Sequence, residues 1–185
     1  VAGIPFFAAD NSIYTHDVSG TDDTAEQNAA YGIGAMDAIT TGDNNTAMGF
    51  GALGANTTGG SNTAIGQNAL SGNTTASGNT ALGQNTMTAN TTGTRNLAIG
   101  FAAYNSSDTE NDNIAIGYDA MTTNTAGGTL NVAVGNYALD ALTSGDSNVG
   151  VGHNSLGANN SGNRNTAIGD DALKAHTTGN NNVAV

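Results

Sequence analysis

Three histidines, one acid-rich stretch, one glycine-rich hexapeptide and a series of threonine pairs are the places in this sequence where side chains could do chemistry. His16, His153 and His176 would have to converge to bind a metal or act as a base, but they are not spaced as a ligand set and read as turn histidines. No metal is expected from them. The segment THDVSGTDDTAEQ carries Asp17, Asp22, Asp23 and Glu26, whose oxygens could converge on calcium, although a solvated acidic loop is the preferred reading. GFGALG, Gly49 to Gly54, satisfies the G-x-G-x-x-G expression of dinucleotide-binding proteins but lacks the strand-to-helix setting that would cradle a pyrophosphate. The pairs Thr40-Thr41, Thr57-Thr58, Thr74-Thr75, Thr91-Thr92 and Thr177-Thr178 could order water as ice-binding solenoids do. Adjacent threonine side chains diverge, however, and these pairs sit beside glycine in turns. The sequons at Asn56 and Asn90 require no glycan. No nucleophile, base or carboxylate pair has a supporting constellation, so neither an enzyme nor a cofactor is expected.

What must position these residues is a chain of unusual composition. Its 185 residues suit one domain, with 27 Gly, one Pro and 10% charged residues, against about 25% charged in a typical soluble domain. Three Lys+Arg against fifteen Asp+Glu give a net charge of −12, which argues against a nucleic-acid partner and against an anionic membrane surface. The lack of cysteine excludes disulfides and cysteine-ligated metals and fits either redox compartment. No apolar run is long enough for a membrane span, and VAGIPFFAA reads as a strand or cap, so no membrane insertion is expected.

The organising feature is a repeat. Units open at Asn28, Asn45, Asn62, Asn79, Asn96, Asn113, Asn131, Asn148, Asn165 and Asn182, a spacing of 17 with a single 18, and follow the consensus N-T-A-I-G-x-x-A-L-x-x-N-T-T-G-x-x. Nine units are complete and the tenth is unfinished. The extra residue falls at the Gly127-Gly128 turn. Interior glycines and β-branched residues disfavour helix and suit short strands joined by tight turns. A period this short marks an array in which each unit stacks on its neighbours. The expectation is therefore an all-β chain, a β-solenoid or parallel β-roll with strands at TAIG and xALx, and coils about 4.7 to 4.9 Å apart. Residues 28–185 form the array; residues 1–27, with a degenerate coil from Asn11 to Gln27, form an N-terminal cap or subunit-joining segment.

Stacking turns each repeat position into a column. Met48, Ile65, Leu82, Ile99, Ile116, Val134, Val151 and Ile168 make one apolar stripe; Met36, Leu53, Leu70, Met87, Tyr104, Met121, Leu139, Leu156 and Leu173 make another. Both are expected inside the coil. Asn45, Asn62, Asn79, Asn96, Asn113, Asn131, Asn148 and Asn165 are expected to form a side-chain ladder. Strand alternation puts Ala47, Ala64, Ala81, Ala98, Ala115 and Ala133 on the opposite face from the first stripe. Because both faces are restricted, the alanine face is expected to pack against another copy of the chain. Val185 at one end, and Phe6 and Phe7 at the other, are expected to join copies head to tail.

NTAIG, NTALG, NLAIG, NIAIG and NVAVG resemble the N-S-x-A-x-G repeats in the heads of trimeric autotransporter adhesins. Still closer is the resemblance to the NTA-x-G-x-x-AL-x-x-NTTG repeats of phage tail-fibre and related fibre proteins. The resemblance covers about residues 28 to 185 and implies a left-handed parallel β-roll, three chains around one axis as a homotrimer, on an extracellular, cell-surface or virion fibre. The expected function is that of a non-enzymatic structural fibre subunit whose partners are copies of itself. The alternative is an adhesin head or receptor-binding module that contacts a surface glycan or protein through turn residues such as Phe50, Tyr118 and Tyr137; an ice-binding solenoid is a minor third.

Overall fold

The computed structural model describes residues 24–124 and 127–185, together with the backbone of 7–9 and 12–14. Strands β1 (Phe7–Ala9) and β2 (Ser12–Tyr14) pair antiparallel, and from β2 onward every pairing is parallel. β3 (Ala29–Tyr31), β4 (Thr46–Met48), β5 (Thr63–Ile65), β6 (Thr80–Leu82), β7 (Leu97–Ile99), β8 (Ile114–Ile116), β9 (Val132–Val134), β10 (Val149–Val151), β11 (Thr166–Ile168) and β12 (Val183–Ala184) follow in chain order in one sheet. Ala47 faces Ala64, which faces Ala81, a step of one repeat; Ile114 faces Val132 at the longer step, so the inserted residue is absorbed before the next strand. No helix occurs among the described residues. The chain is an all-β parallel solenoid of about nine turns.

Each coil has one strand, not two. The Ala-Leu segment expected as the second strand is a turn, with Leu53 at φ 51°, Leu70 at 51° and Met87 at 53°. A left-handed residue with a side chain costs about 1–2 kcal/mol. Full burial of a leucine or methionine side chain returns about 1.5–3 kcal/mol, and Leu53, Leu70, Met87, Leu139 and Leu156 are all completely buried. The backbone is not left unpaired either: the Leu53 N–H donates to the Ala69 carbonyl at 3.0 Å and the Leu70 N–H to the Thr86 carbonyl at 3.0 Å, one coil on. Coil-to-coil hydrogen bonding thus continues through the turns, and a regular second strand is not needed to satisfy it.

Two glycine requirements fix the spacing of the coils. At Gly66 the backbone has φ 136°, and an added Cβ would lie 2.3 Å from the Gly83 carbonyl oxygen of the next coil. At Gly59, where the coil closes, an added Cβ would lie 2.2 Å from the Ala76 carbonyl oxygen.

The interior combines apolar columns with columns of amides. Each opening asparagine spans the coil: Asn45 donates Nδ2 to the Gly59 carbonyl at 2.9 Å, Asn62 to Ala76 at 2.8 Å and Asn79 to Gly93 at 2.7 Å. Its Oδ1 accepts the backbone N–H of the next opening asparagine, at 3.0 Å from Asn62 to Asn45 and at 2.9 Å from Asn96 to Asn79, Asn113 to Asn96 and Asn131 to Asn113. One side chain therefore closes its own coil and accepts from the next. Asn148 and Asn165 repeat the pattern. Only a primary amide of this length offers both a donor and an acceptor here; aspartate lacks the donor.

A second amide column, not singled out in the sequence, lies behind the first. Asn56, Asn73, Asn90, Asn124 and Asn159 are fully buried at the Asn of each NTTG-like segment, with Ile39, Ser107, Leu142 and His176 taking the place in other coils. Asn73 donates to Asn56 Oδ1 at 2.8 Å and Asn90 to Asn73 Oδ1 at 3.2 Å. Among the described residues, the two buried side-chain polar atoms without a partner are the Oδ1 atoms of Asn90 and Asn124. Each faces a coil where the amide is missing, Ser107 above Asn90 and Leu142 above Asn124. The orphaned acceptors are thus explained by the two interruptions of the ladder. In the Ser107 coil, Glu110 replaces the usual small residue and its carboxylate accepts from Ser107 Oγ at 3.0 Å and the Asp108 N–H at 2.9 Å.

Candidate functional site

The strand faces are reversed from expectation. Ala47, Ala64, Ala81, Ala98, Ala115 and Ala133 are buried inside their own coils, at 0–1% exposure, and so are not placed to meet another copy. The stripe from Met48 to Ile168, expected inside, points outward: Met48 is 51% exposed, Leu82 43% and Ile168 43%. The reason is width. Gly150 replaces alanine in the inner column, and even a methyl there would come within 3.0 Å of Ser155 Oγ and 3.4 Å of the Leu139 side chain. Opposite the leucine column the coil has room for a methyl group and nothing larger. Branched residues are therefore restricted to the outside, where water does not demand them.

That outer face is the first functional feature. The residues flanking each buried alanine or glycine are Thr46 and Met48, Thr63 and Ile65, and Thr80 and Leu82 in the early coils. From β7 to β10 both flanking columns become aliphatic: Leu97, Ile99, Ile114, Ile116, Val132, Val134, Val149 and Val151, all half-buried by their own stacking. A contiguous, partly exposed apolar face of this kind marks an interaction surface more often than a chance exposure.

A second feature runs along the turn after each strand. The Phe101 and Tyr118 rings stack with centroids 5.4 Å apart and planes 10° from parallel; Tyr137 meets Tyr118 edge-on at 5.4 Å, and the His153 ring meets Tyr137 edge-on at 5.9 Å. Phe50 lies in the same column, exposed, three coils earlier than Phe101. The run ends on charge: His153 Nδ1 lies 3.0 Å from Asp170 Oδ1, Asn154 Nδ2 donates to Asp171 Oδ1 at 2.9 Å, and Lys174 Nζ lies 3.1 Å from Asp171. The hydrogen bond from the Lys174 ammonium holds the Asp171 carboxyl below the usual carboxylate range. His153 and His176 do not meet, and His153 meets an acid one repeat away. The signal was in the sequence: outside the one longer coil, residues 17 apart are neighbours across coils.

The other candidates fall as follows. His16, Asp17, Asp22, Asp23 and Phe6 lie outside the described residues, as does the side chain of Phe7; Glu26 is exposed, and its N–H donates to Asp43 Oδ1 at 2.8 Å. Val185 is 94% exposed. His176 stands in the amide column, its Nε2 2.9 Å from the Gly179 carbonyl oxygen. Gly49 to Gly54 is one ordinary coil turn with no helix after it. The Thr57 hydroxyl donates to the Thr74 carbonyl at 3.0 Å and the Thr74 hydroxyl to the Thr91 carbonyl at 3.2 Å, so these groups bind the next coil instead of presenting a water-ordering plane. Asn56 and Asn90, the sequon asparagines, have buried, hydrogen-bonded amides that a glycan could not reach in the folded coil. In the Tyr104 coil, burial pushes the phenol well above its ordinary range; hydrogen bonds with Ser107, Asn124 and Asn113 oppose this and the Glu110 charge adds to it.

Neither protein-family models, nor curated proteins, nor solved structures match the chain. The class follows from the fold itself: a repeat protein of the parallel β-solenoid type. No helix among the described residues is long and apolar enough to cross a membrane.

Proposed function

We propose that the chain is a non-enzymatic structural subunit, a rod segment of an extracellular or virion fibre, that associates side by side with copies of itself through its outer strand face. The observation carrying this reading is the aliphatic double column of β7 to β10, which lies on the outside although the coil is closed and satisfied without it. Neighbouring coils are tied by backbone bonds and by the asparagine ladder, so the outer face is free to serve assembly. The resemblance of the repeat to adhesin-head and tail-fibre sequences supports a surface or virion setting and a trimer.

The test is the mass of the intact protein by light scattering and sedimentation. The parent is expected to be a homo-oligomer; Ile116→Lys, on the outer face, is expected to give a folded monomer, and Thr92→Lys, on an exposed turn, to keep the parent mass. Ala98→Lys places a charge inside the coil and is expected to unfold it instead of separating copies. A parent that is monomeric at high concentration, or an Ile116→Lys variant with the parent's mass, overturns the reading. The exposed aromatic run at Phe101, Tyr118 and Tyr137 favours a second reading, a receptor-binding module; glycan-array binding that is lost on Tyr118→Ala and Tyr137→Ala would support it.

A further inference from the structure

We infer that His153, Asp170 and Asp171 form a site for a divalent first-row transition metal that clips two successive coils together. Their ligating atoms all lie within 4.8 Å of one another, and the repeat itself brings them there. His153 follows β10 and Asp170 follows β11 at the same place in the coil, with Asp171 next in chain. Donors bound to zinc at about 2.0–2.2 Å stand some 3–4 Å apart, a spacing the His153–Asp170 pair already has at 3.0 Å. Small side-chain rotations bring in Asp171, since all three residues are exposed.

The donor set selects the ion. One imidazole nitrogen with two carboxylates suits zinc, nickel or cobalt, whereas calcium and magnesium prefer oxygen alone. The imidazole is also oriented from behind, because its ring packs edge-on against Tyr137 at 5.9 Å. Among the described residues this is the one group of three histidine or acidic side chains with such convergence. Lys174 and Asn154 compete within the site: the ammonium lies 3.1 Å from Asp171 and Asn154 Nδ2 donates to Asp171 Oδ1 at 2.9 Å, and both must yield that carboxylate when a cation enters. Because the ligands come from two coils, a bound ion joins those coils outside the backbone ladder, and binding must raise thermal stability by linkage.

The experiment titrates the full chain with zinc chloride in calorimetry, uses cobalt chloride with visible absorption to report nitrogen–oxygen coordination, and records the thermal midpoint with and without zinc. One equivalent is expected to bind, with a rise in midpoint. His153→Ala and Asp170→Asn are each expected to weaken binding by about tenfold or more and to remove the rise, His176→Ala to change neither, and Lys174→Gln to tighten binding several-fold. As His153, Asp170 and Lys174 are exposed, circular dichroism of these variants should match the parent, whereas His176 is part-buried in the amide column and His176→Ala is compared with and without zinc against its own baseline. Asp170→Asn, which keeps the side-chain size, serves if His153→Ala is perturbed. Absence of saturable binding overturns the proposal, as does an equivalent of zinc that survives both His153→Ala and Asp170→Asn and therefore sits elsewhere, or calcium binding at the same strength.

Discussion

Replacing Asn79 separates the asparagine ladder from every other source of stability in the coil. In the Asn79→Ala variant the Asn96 N–H, which donates to Asn79 Oδ1 at 2.9 Å in a fully buried position, has no acceptor. A buried donor left unpaired costs about 1–3 kcal/mol, and losing the Nδ2 bond to Gly93 removes about 0.5–1.5 kcal/mol more. The Gly93 carbonyl keeps a second donor, Asn90 Nδ2 at 3.0 Å, so no further orphan is created there. The expected loss is about 2–4 kcal/mol, read as a shift of the urea midpoint by circular dichroism. The comparison is Asn90→Leu, in the second amide column, where Leu142 already shows that an aliphatic side chain is accommodated; the change removes the Nδ2 bonds to Asn73 Oδ1 at 3.2 Å and to the Gly93 carbonyl at 3.0 Å, leaves the Asn73 acceptor unpaired, and adds a buried leucine. Its cost should be about 1 kcal/mol or less, because burying the leucine returns about 1.5–3 kcal/mol against about 1–3 kcal/mol for the acceptor left unpaired. Asn79→Asp adds a sign. Its carboxylate still accepts from Asn96, but it faces the Gly93 carbonyl without a proton to donate, so burial and that carbonyl raise its folded pKa. A group with a raised folded pKa contributes its stability below the unfolded value and loses it as pH rises through the folded one. The variant should therefore approach the parent near pH 3–4, around the ordinary aspartate pKa, and fall well below it at neutral pH. Equal losses for Asn79→Ala and Asn90→Leu, or a pH-independent deficit for Asn79→Asp, would refute the argument that the first column is the brace.

Three further outcomes test the rest of the stack. Gly66→Ala should be among the most damaging single changes, several kcal/mol by denaturation, because its Cβ meets a carbonyl oxygen at 2.3 Å in a backbone conformation that side chains rarely adopt. Ser107→Asn added to Glu110→Gly gives Asn90 Oδ1 a donor; because Glu110→Gly takes the acceptor from the Asp108, Thr109 and Gly127 N–H groups, the double variant is compared with that single variant and should exceed its stability by about 1–2 kcal/mol, the scale of one rescued buried acceptor. Tyr104 sets an alkaline limit: its phenol pKa is raised by burial, so its stability is present below the ordinary tyrosine value and lost as pH rises above about 10. Tyrosinate absorbance should show one phenol that ionises only as the sheet signal disappears, and Tyr104→Phe should abolish that phase.

By itself the sequence determined the period, the parallel register, the absence of helix among the described residues and the columns, because a repeat of nearly constant length allows a stacked chain only one in-register pairing. Asn45 to Asn165 are legible as a ladder for the same reason: identical residues at identical places must lie one above another. What the sequence left undecided was which side of a three-residue strand faces inward. Alternation separates Ala98 from Ile99 but does not orient them, and size suggested that the larger residue was the core. Tertiary structure reversed this, because one strand and a run of left-handed turns close a coil too narrow for more than a methyl beside the leucine column. The same closure turned Leu53 and Leu70 from an expected strand into buried turn residues, since burial and coil-to-coil hydrogen bonds outweigh a left-handed backbone. The meeting of His153 with Asp170 and Asp171 was visible only as arithmetic, seventeen residues apart, and became chemistry when the turn after each strand set their side chains on one exposed edge.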